Sequence, residues 1–314
     1  MHCIGIAGIG LMGSAIAQRL LGAGFAVAGY DVDPSKRQRL ADMGGTPVLT
    51  VAALAGHCNT IFLAVFNTDQ VEAVVEGVDG LIAARQPSSA RMTLICTSTC
   101  DPERIARLAL RVETPRTGFI EMPVSGTSGQ VAKGDGVGLV AGSQAVVDAV
   151  SSVLDAVCPN RQFLGAAGNG AKAKLAVNLV LGLNRGAIAE GLVFAERMGL
   201  EPVAFLEVLR NSAAYSQVMD IKGPLMARRE FQNPLSRVDQ SYKDFCLMLD
   251  YSRTLGQELP FAKIYAELLR DCMENSEAQW DNAAIIAAIE RRHAAVHAAT
   301  AARPQADAVD LKTR

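Results

Sequence analysis

The sequence predicts an α/β doubly wound sheet followed by an all-α domain. Three observations support this prediction: a glycine-rich turn between a strand and a helix near the N-terminus, strands that alternate with helices up to about residue 165, and an almost wholly helical pattern from Gly170 onwards. A composition shift at 165–170 marks the boundary. We therefore expect domains over 1–165 and 166–298, and a mobile, polar tail over 299–314.

The first predicted strand, over 2–7, is followed at once by a glycine-rich turn. Residues 8–13 read GIGLMG, a helix follows over 14–23, and the next strand, over 25–30, ends at Asp31. A G-x-G-x-x-G motif between a strand and a helix, with an acid after the second strand, is typical of a Rossmann-like dinucleotide site. There the helix N-terminus faces the pyrophosphate. The candidate cofactor-binding residues of this segment are Gly8, Gly10, Leu11, Met12, Gly13 and Asp31.

Asp31 bears on which dinucleotide is bound. A carboxylate at this position accepts hydrogen bonds from the adenosine ribose and repels a 2′-phosphate, so the sequence favours NAD over NADP. Arg37 and Arg39 lie nearby in the chain and leave open the accommodation of a phosphate.

Further apolar strands continue the alternation. They are predicted over 60–65, 92–97, 118–122, 137–141 and 162–164, and strands separated by helices predict a parallel sheet. Ligands of such sheets lie at the carboxyl ends of the strands. The segments after Val65 and after Thr97 are therefore candidate cofactor walls, and Asn67 lies on the first of them. For Ser98 and Thr99, on the second, ordinary helix capping is the alternative.

The strand over 118–122 leads into a loop that is rich in glycine and hydroxyl groups. Residues 123–129 read PVSGTSG. Backbone N–H groups and the Ser125 hydroxyl could hold an anion there, and a carboxylate substrate would suit the loop. A simple turn is the alternative, and the local residues do not exclude it.

The amino-acid composition limits the classes of partner, compartment and metal that we expect. The 30 Lys and Arg residues nearly balance the 32 Asp and Glu residues, so the net charge of −2 gives no reason to propose a nucleic-acid or membrane partner. Seven scattered cysteines without C-x-x-C are typical of reduced thiols in a cytoplasmic protein. The four histidines have no metal-ligand spacing, so we expect no metal. No stretch stands out as a membrane span.

The second half opens on a long apolar helix, predicted over 170–198. Lys174 and Asn178 are four residues apart and share a helix face, whereas Lys172 falls on the opposite face. A lysine and an amide on a largely buried helix suggest a reaction site. Taken alone, a solvated surface lysine is the favoured alternative. Three glycines inside this helix predict close helix approach or oligomer packing; they are Gly182, Gly186 and Gly191.

Four motifs together resemble the β-hydroxyacid dehydrogenase family, which includes the 3-hydroxyisobutyrate dehydrogenases. They are the dinucleotide motif over 5–13, the substrate loop over 123–126, the pattern G-x-G-x-x-x-K-x-x-x-N over 168–178, and the pair Lys243-Asp244. The motifs stand in the family's order and cover nearly the whole chain. The resemblance departs from the family at Thr127, where a second glycine is usual.

The resemblance implies roles for these residues. Lys174 would be the general acid/base and Asn178 would orient Lys174 or the substrate. Ser125 and Gly126 would hold the substrate carboxylate, and the side chain of Thr127 could narrow the pocket or add a hydroxyl contact. Thr99 would contact the cofactor, and Lys243 would lie near nicotinamide and substrate. Family members pair through their helical domains, which implies a homodimer or homotetramer.

The sequence thus predicts NAD-dependent interconversion of a small 3-hydroxy acid and its aldehyde or keto acid. A lysine near its reference pKa of about 10.4 is a poor base at neutral pH. Burial at a cleft between domains would lower that pKa, so we expect oxidation to improve at alkaline pH. Two alternatives remain open. One is a decarboxylating enzyme like 6-phosphogluconate dehydrogenase, and the other is a regulator that binds NAD without turnover.

Overall fold

The computed structural model describes residues 3–86 and 89–292. The described residues pack as two compact units, one formed by 3–180 with 246–258 and the other by 181–245 with 259–292. The predicted tail over 299–314 lies outside the described residues, as do His293 and His297.

The first unit contains one sheet. Its strands, over the described residues, are β1 Cys3–Ala7, β2 Ala26–Tyr30, β3 Thr46–Pro47, β4 Thr60–Leu63, β5 Met92–Cys96, β6 Thr117–Glu121, β7 Val124–Ser125, β8 Val137–Gly142 and β9 Arg161–Phe163. The strand order is β3-β2-β1-β4-β5-β6-β8-β7, and β9 pairs with β8. The predicted doubly wound α/β architecture is confirmed.

The prediction of a wholly parallel sheet is wrong at one edge. Strands β1 to β6 pair in parallel, but β8 runs antiparallel to both β6 and β7. Between β6 and β8 lies the helix α6, Ser128–Lys133, which has only six residues. A helix of about 9 Å cannot return the chain along a strand of about 20 Å, so no parallel crossover forms there.

Helices cover both faces of the sheet. They are α1 Leu11–Gly22, α2 Pro34–Asp42, α3 Val51–His57, α4 Thr68–Glu76, α5 Pro102–Val112, α6, α7 Gln144–Ala149 and α8 Ser151–Val157. Strand β4 shows the alternation that this requires, because Phe62 belongs to one apolar cluster whereas Ile61 and Leu63 belong to the other. The sequence patterns did not predict β3, β7, α3, α6, α7 or α8, which are all short.

The second half is helical, as predicted. Its helices are α9 Asn169–Arg197, α10 Pro202–Arg210, α11 Val218–Arg228, α12 Val238–Thr254 and α13 Pro260–Glu274, followed by a 3₁₀ turn Asn282–Ala284 and a helix over 285–292. The predicted long helix over 170–198 thus differs from α9 by one residue at each end. Residues 169–180 of α9 belong to the first unit.

Two of the glycines in α9 allow close packing, as predicted. A Cβ at Gly182 would lie 2.4 Å from the Phe245 ring, and one at Gly186 would lie 3.0 Å from the Tyr265 ring. These two rings contact each other, with centroids 4.5 Å apart. The prediction of close helix approach is wrong at Gly191, because a Cβ there would meet nothing within 4 Å, and oligomer packing at this glycine stays a prediction.

Within the described residues, α9 is the helix that is long and apolar enough to cross a membrane by length and composition. Core helices of globular proteins meet the same criterion. Its first turns are hydrogen-bonded to the sheet through residues 121 and 124, so the criterion alone is weak evidence for a membrane span.

Candidate active site

The glycine turn between β1 and α1 combines tight packing with an open face. Gly8 has a φ of +95°, and a Cβ there would lie 2.5 Å from the Ala64 carbonyl oxygen. A Cβ at Gly13 would lie 1.9 Å from the Gly8 carbonyl oxygen, so both positions require glycine. A Cβ at Gly10, by contrast, would meet nothing within 4 Å. This open space lies beside the start of α1, where a dinucleotide motif is expected to bind the pyrophosphate.

The start of α1 carries no side-chain cap among the described residues. A helix leaves its first N–H groups without helical partners and has a partial positive charge at that end. Leu11, Met12 and Gly13 supply the first N–H groups of α1, so these candidate residues could bind an anion through the backbone.

Asp31 holds the glycine turn from the end of β2. It is 7% exposed, its Oδ2 accepts a hydrogen bond from the Ile9 N–H at 2.8 Å, and its Oδ1 accepts one from the Asp33 N–H at 3.0 Å. The sequence motif did not predict this bond to Ile9. The Arg37 guanidinium donates to the Asp31 carbonyl oxygen at 2.5 Å, and Lys36 lies 3.5 Å from the Asp31 carboxylate.

The candidate cofactor walls lie at the carboxyl ends of β4 and β5, the strands that follow β1 in the sheet. Val65 is half-buried, and its carbonyl oxygen accepts from the Ser98 hydroxyl at 2.7 Å. Asn67 caps α4 by accepting from the Gln70 N–H at 2.9 Å. Thr99 is half-buried beside Ser98. Capping therefore accounts for Asn67, whereas the cap of α5 is Asp101 rather than Ser98 or Thr99.

The predicted substrate loop is anchored at both ends. Val124–Ser125 forms β7 and pairs with β8, and Gly126 follows with a φ of +144°. Thr127 caps α6: its hydroxyl accepts from the Gln130 N–H at 3.3 Å, and its own N–H donates to the Gln130 side chain at 2.9 Å. The departure from glycine at Thr127 thus serves to start a helix.

Lys174 lies against this loop. It is 8% exposed, and its Nζ donates to the Val124 carbonyl oxygen at 2.6 Å. Lys172 is exposed and its Nζ lies 3.5 Å from Asn169 Oδ1. The structure therefore separates the two lysines: Lys174 is buried against the loop that contains Ser125, whereas Lys172 faces solvent.

The other predicted site residues lie on helices. Asn178 is half-buried one turn after Lys174 on α9. Lys243 and Asp244 are adjacent on α12 in the second unit, where Lys243 Nζ lies 2.8 Å from Asp244 Oδ1.

Glu121 is a buried acid near the candidate site that the sequence did not single out. It ends β6, is 1% exposed, and its carboxylate accepts the N–H groups of Gly168 and, at 2.8 Å, Ala171 at the start of α9. The available signal was an acid at the end of an otherwise apolar strand, two residues before the predicted substrate loop.

No cluster of three or more metal-ligating side chains occurs in the described residues. All seven cysteines are free thiols.

Fold and site together define an NAD(P)-binding oxidoreductase. Residues 3–165 match a family model described as the NAD-binding domain of 6-phosphogluconate dehydrogenase. Residues 168–289 match one described as the NAD-binding domain of NADP-dependent 3-hydroxyisobutyrate dehydrogenase. The chain belongs to the β-hydroxyacid dehydrogenase family and is an NAD(P)-dependent enzyme acting on CH–OH groups.

Relatives from bacteria align with nearly the full chain. L-Threonate dehydrogenase of Cupriavidus necator is 32% identical over 284 residues, which are 90% of this chain and 94% of the relative. 2-Hydroxy-3-oxopropionate reductase of Escherichia coli is 29% identical over 91% of this chain and 97% of its own. The crystal structure of 3-hydroxyisobutyrate dehydrogenase from Salmonella typhimurium superimposes with a TM-score of 0.81 at 25% identity and covers 91% of this chain and 99% of that chain.

Proposed function

We propose that this enzyme interconverts a small 3-hydroxy acid and its aldehyde or keto acid, with Lys174 as the general acid/base. One observation carries the proposal: Lys174 is buried with its Nζ 2.6 Å from the Val124 carbonyl oxygen, next to the loop suited to a carboxylate. A buried amine beside a loop of backbone N–H and hydroxyl groups supports this role, and Asn178 lies one turn further on the same helix.

In the oxidative direction, the neutral amine of Lys174 takes the proton of the substrate hydroxyl. A nicotinamide dinucleotide held by Gly8, Gly10 and Gly13 would supply the acceptor for the hydride that leaves the carbon bearing the hydroxyl, which becomes a carbonyl carbon. Its reduced form would supply that hydride in the reverse direction. In the reductive direction, the Lys174 ammonium donates its proton to the carbonyl oxygen. Ser125 and the backbone of Gly126 hold the substrate carboxylate, Asn178 orients Lys174 or the substrate, and we propose Lys243 as a further substrate-binding residue.

The open face at Gly10 and the uncapped start of α1 support cofactor binding through Gly8, Gly10, Leu11, Met12 and Gly13. We propose Val65, Asn67 and Thr99 as the neighbouring walls. A preference for NAD over NADP is supported by the carboxylate of Asp31 at the end of β2. The guanidinium of Arg37 beside the same turn is the feature that would admit NADP.

A panel of small hydroxy acids tests the proposal. 3-Hydroxyisobutyrate, glycerate, threonate, 3-hydroxypropionate and serine are each incubated with NAD or NADP at alkaline pH, and formation of the reduced cofactor is followed by absorbance. We expect NAD reduction with at least one of them. Tight NAD binding without turnover of any member would contradict the proposal and favour a regulator. Release of carbon dioxide would favour a decarboxylating enzyme.

We also propose a cytoplasmic homodimer or homotetramer that pairs through helices of the second unit. Phe194 and Met198 are 65% and 59% exposed there, and such apolar exposure is typical of an interface. The free state of all seven cysteines is compatible with a reducing compartment. Light scattering after size exclusion measures the assembly, and a monomer at micromolar concentration would contradict it.

A further inference from the structure

The start of α9 is held by a buried carboxylate. Glu121 is 1% exposed, and a carboxylate is rarely buried without hydrogen-bond donors or charged partners. Its Oε2 accepts the Gly168 N–H and its Oε1 accepts the Ala171 N–H at 2.8 Å. These are N–H groups at the start of a helix, where the helix itself provides no acceptor and the dipole favours a negative charge. Glu121 therefore ties the end of β6 to the start of α9.

Gly168 and Gly170, in the motif that contains Lys174, are closely packed where Glu121 contacts the helix start. A Cβ at Gly170 would lie 3.0 Å from Glu121 Cβ and 3.0 Å from the Leu139 carbonyl oxygen. At Gly168, φ is +95° and a Cβ would lie 3.0 Å from the Pro102 carbonyl oxygen. Gly170 lets the helix start approach the sheet and Gly168 lets it approach α5, and neither faces an open space as Gly10 does.

The same segment of chain also holds the lysine. Val124, three residues after Glu121, accepts the hydrogen bond from Lys174 Nζ at 2.6 Å. The helix is therefore fixed at two levels, at residues 168–171 by Glu121 and at Lys174 by Val124. Since both acceptors belong to one short segment, a shift of the helix start would move Lys174 relative to the loop that contains Ser125.

We infer that Glu121 is a positioning residue for Lys174: its carboxylate holds the first turn of α9 and so fixes where the lysine meets the substrate loop. This inference rests on the proposed acid/base role of Lys174. Glu121 itself contacts the helix backbone in this structure, so it acts through the helix rather than on the reacting atoms.

The charge state of Glu121 is expected to matter near neutral pH. Burial raises the pKa of its carboxyl to about 7, against hydrogen bonds from the helix start and the charge of Lys172, which lower it. Cys96 lies beside it on β5, and the hydrogen bond between Cys96 and Cys100, with burial, raises the pKa of Cys96, so that thiol stays neutral. Protonation of Glu121 puts an O–H where the helix N–H groups need an acceptor.

The first test needs no substrate. Glu121→Gln keeps the size of the side chain but presents an NH₂ group to N–H groups, and amide hydrogen exchange is followed by mass spectrometry at one pH. The matched control is Glu201→Gln. Glu201 caps α10 by accepting from Val203 and Ala204 N–H at 3.0 and 2.7 Å, but it is exposed. We expect faster exchange over 168–174 in Glu121→Gln alone. Unchanged exchange there would overturn the inference.

The second test measures kcat between pH 5 and 9 for reduction of the aldehyde or keto acid that corresponds to an active member of the panel. Reduction uses the Lys174 ammonium, and we expect Glu121 protonation to limit the rate at low pH. In Glu121→Gln we expect kcat to fall by about 10- to 100-fold. The decrease in kcat of the wild type as pH falls through about 7, its acid limb, should be absent in the variant, whereas NAD affinity should be unchanged. Glu201→Gln should behave as the wild type.

The outcomes separate the two proposals. A wild type that turns over no member of the panel contradicts the proposed function, and the exchange measurement still decides whether Glu121 holds the helix. An active wild type whose kcat and acid limb survive in Glu121→Gln overturns the positioning role. If Glu121→Gln does not fold, Gly170→Ala tests the same contact from the helix side, and unchanged kcat in that variant would likewise overturn it.

Discussion

Two helices of the first unit begin at glycine-marked turns, yet their starts are built differently. At α1, among the described residues, no side chain caps the helix, and a Cβ at Gly10 would meet nothing within 4 Å. At α9, the Glu121 carboxylate accepts helix N–H groups, and a Cβ at Gly170 would press against Glu121 and Leu139. The start of α1 is thus open to an external anion, whereas the start of α9 already binds the carboxylate of Glu121.

The difference supports the different roles that we propose for these two glycine-containing motifs. An uncapped start presents N–H groups and a positive dipole end, which suits a cofactor pyrophosphate. A start whose N–H groups are already bonded cannot present them to a ligand. We propose that α9 contributes through a side chain further along, Lys174, and that its glycines serve packing.

The largest expected effect is at Lys174. Lys174→Ala removes the proposed proton-transferring group, and general acid/base catalysis contributes about 10²- to 10⁴-fold, so kcat should fall within that range. NAD affinity should change by less than about twofold, because the cofactor motif is at α1. Steady-state kinetics and calorimetric titration measure both. Lys172→Ala is the matched control and should retain activity, since Lys172 is exposed. Equal losses in the two variants would contradict the assignment.

A smaller effect is expected at Asp31, which holds the open turn. Asp31→Asn leaves one acceptor oxygen where two now bind the Ile9 and Asp33 N–H groups. Loss of a charge-assisted bond should weaken NAD binding by about 10-fold, with kcat nearly kept at saturating NAD. Asp33→Asn, which alters the cap of α2 two residues later, is the control. Fluorescence titration with NAD checks the prediction, and unchanged affinity in Asp31→Asn would refute it.

The buried carboxylate of Glu121, which holds the start of α9, should also affect the free energy of unfolding. The pKa of Glu121 is raised to about 7 by burial, from an ordinary 4.5. Between these values the native state binds more protons than the unfolded state, so this group makes the unfolding free energy rise as pH falls from 8 to 5, by at most about 1.4 kcal/mol per pH unit. Because Gln stays uncharged at every pH, urea unfolding of wild type and Glu121→Gln should give different slopes of unfolding free energy against pH between pH 8 and 5. Parallel curves would contradict the raised pKa.

Much of the fold could be predicted because it follows from periodicity and turn chemistry. The apolar run before residues 8–13 and the proline-free stretch after Gly170 fixed β1 and α9 to within about a residue. The short elements were not predicted, because six or seven residues of helix carry too little periodicity. The antiparallel β8 was missed for a related reason, since its direction depends on the shortness of α6.

Local sequence patterns could predict part of the candidate site. Lys174 and Lys172 could be separated by helical spacing, and the structure places the first buried and the second exposed. Glu121 could not be found in this way. Its partners are backbone N–H groups some 47 residues further along the chain, which carry no side-chain signal.

The most direct test is a calorimetric titration of Gly10→Ala and Gly170→Ala with NAD. It tests whether the start of α1 binds the cofactor while the glycines at the start of α9 serve packing. The added methyl at Gly10 enters space that we assign to the pyrophosphate, so NAD affinity should fall by about 10-fold or more while stability is nearly unchanged. The methyl at Gly170 should cost about 1–3 kcal/mol of stability and reduce kcat, with NAD affinity kept. Equal loss of NAD affinity in both variants, or loss in Gly170→Ala alone, would contradict the account.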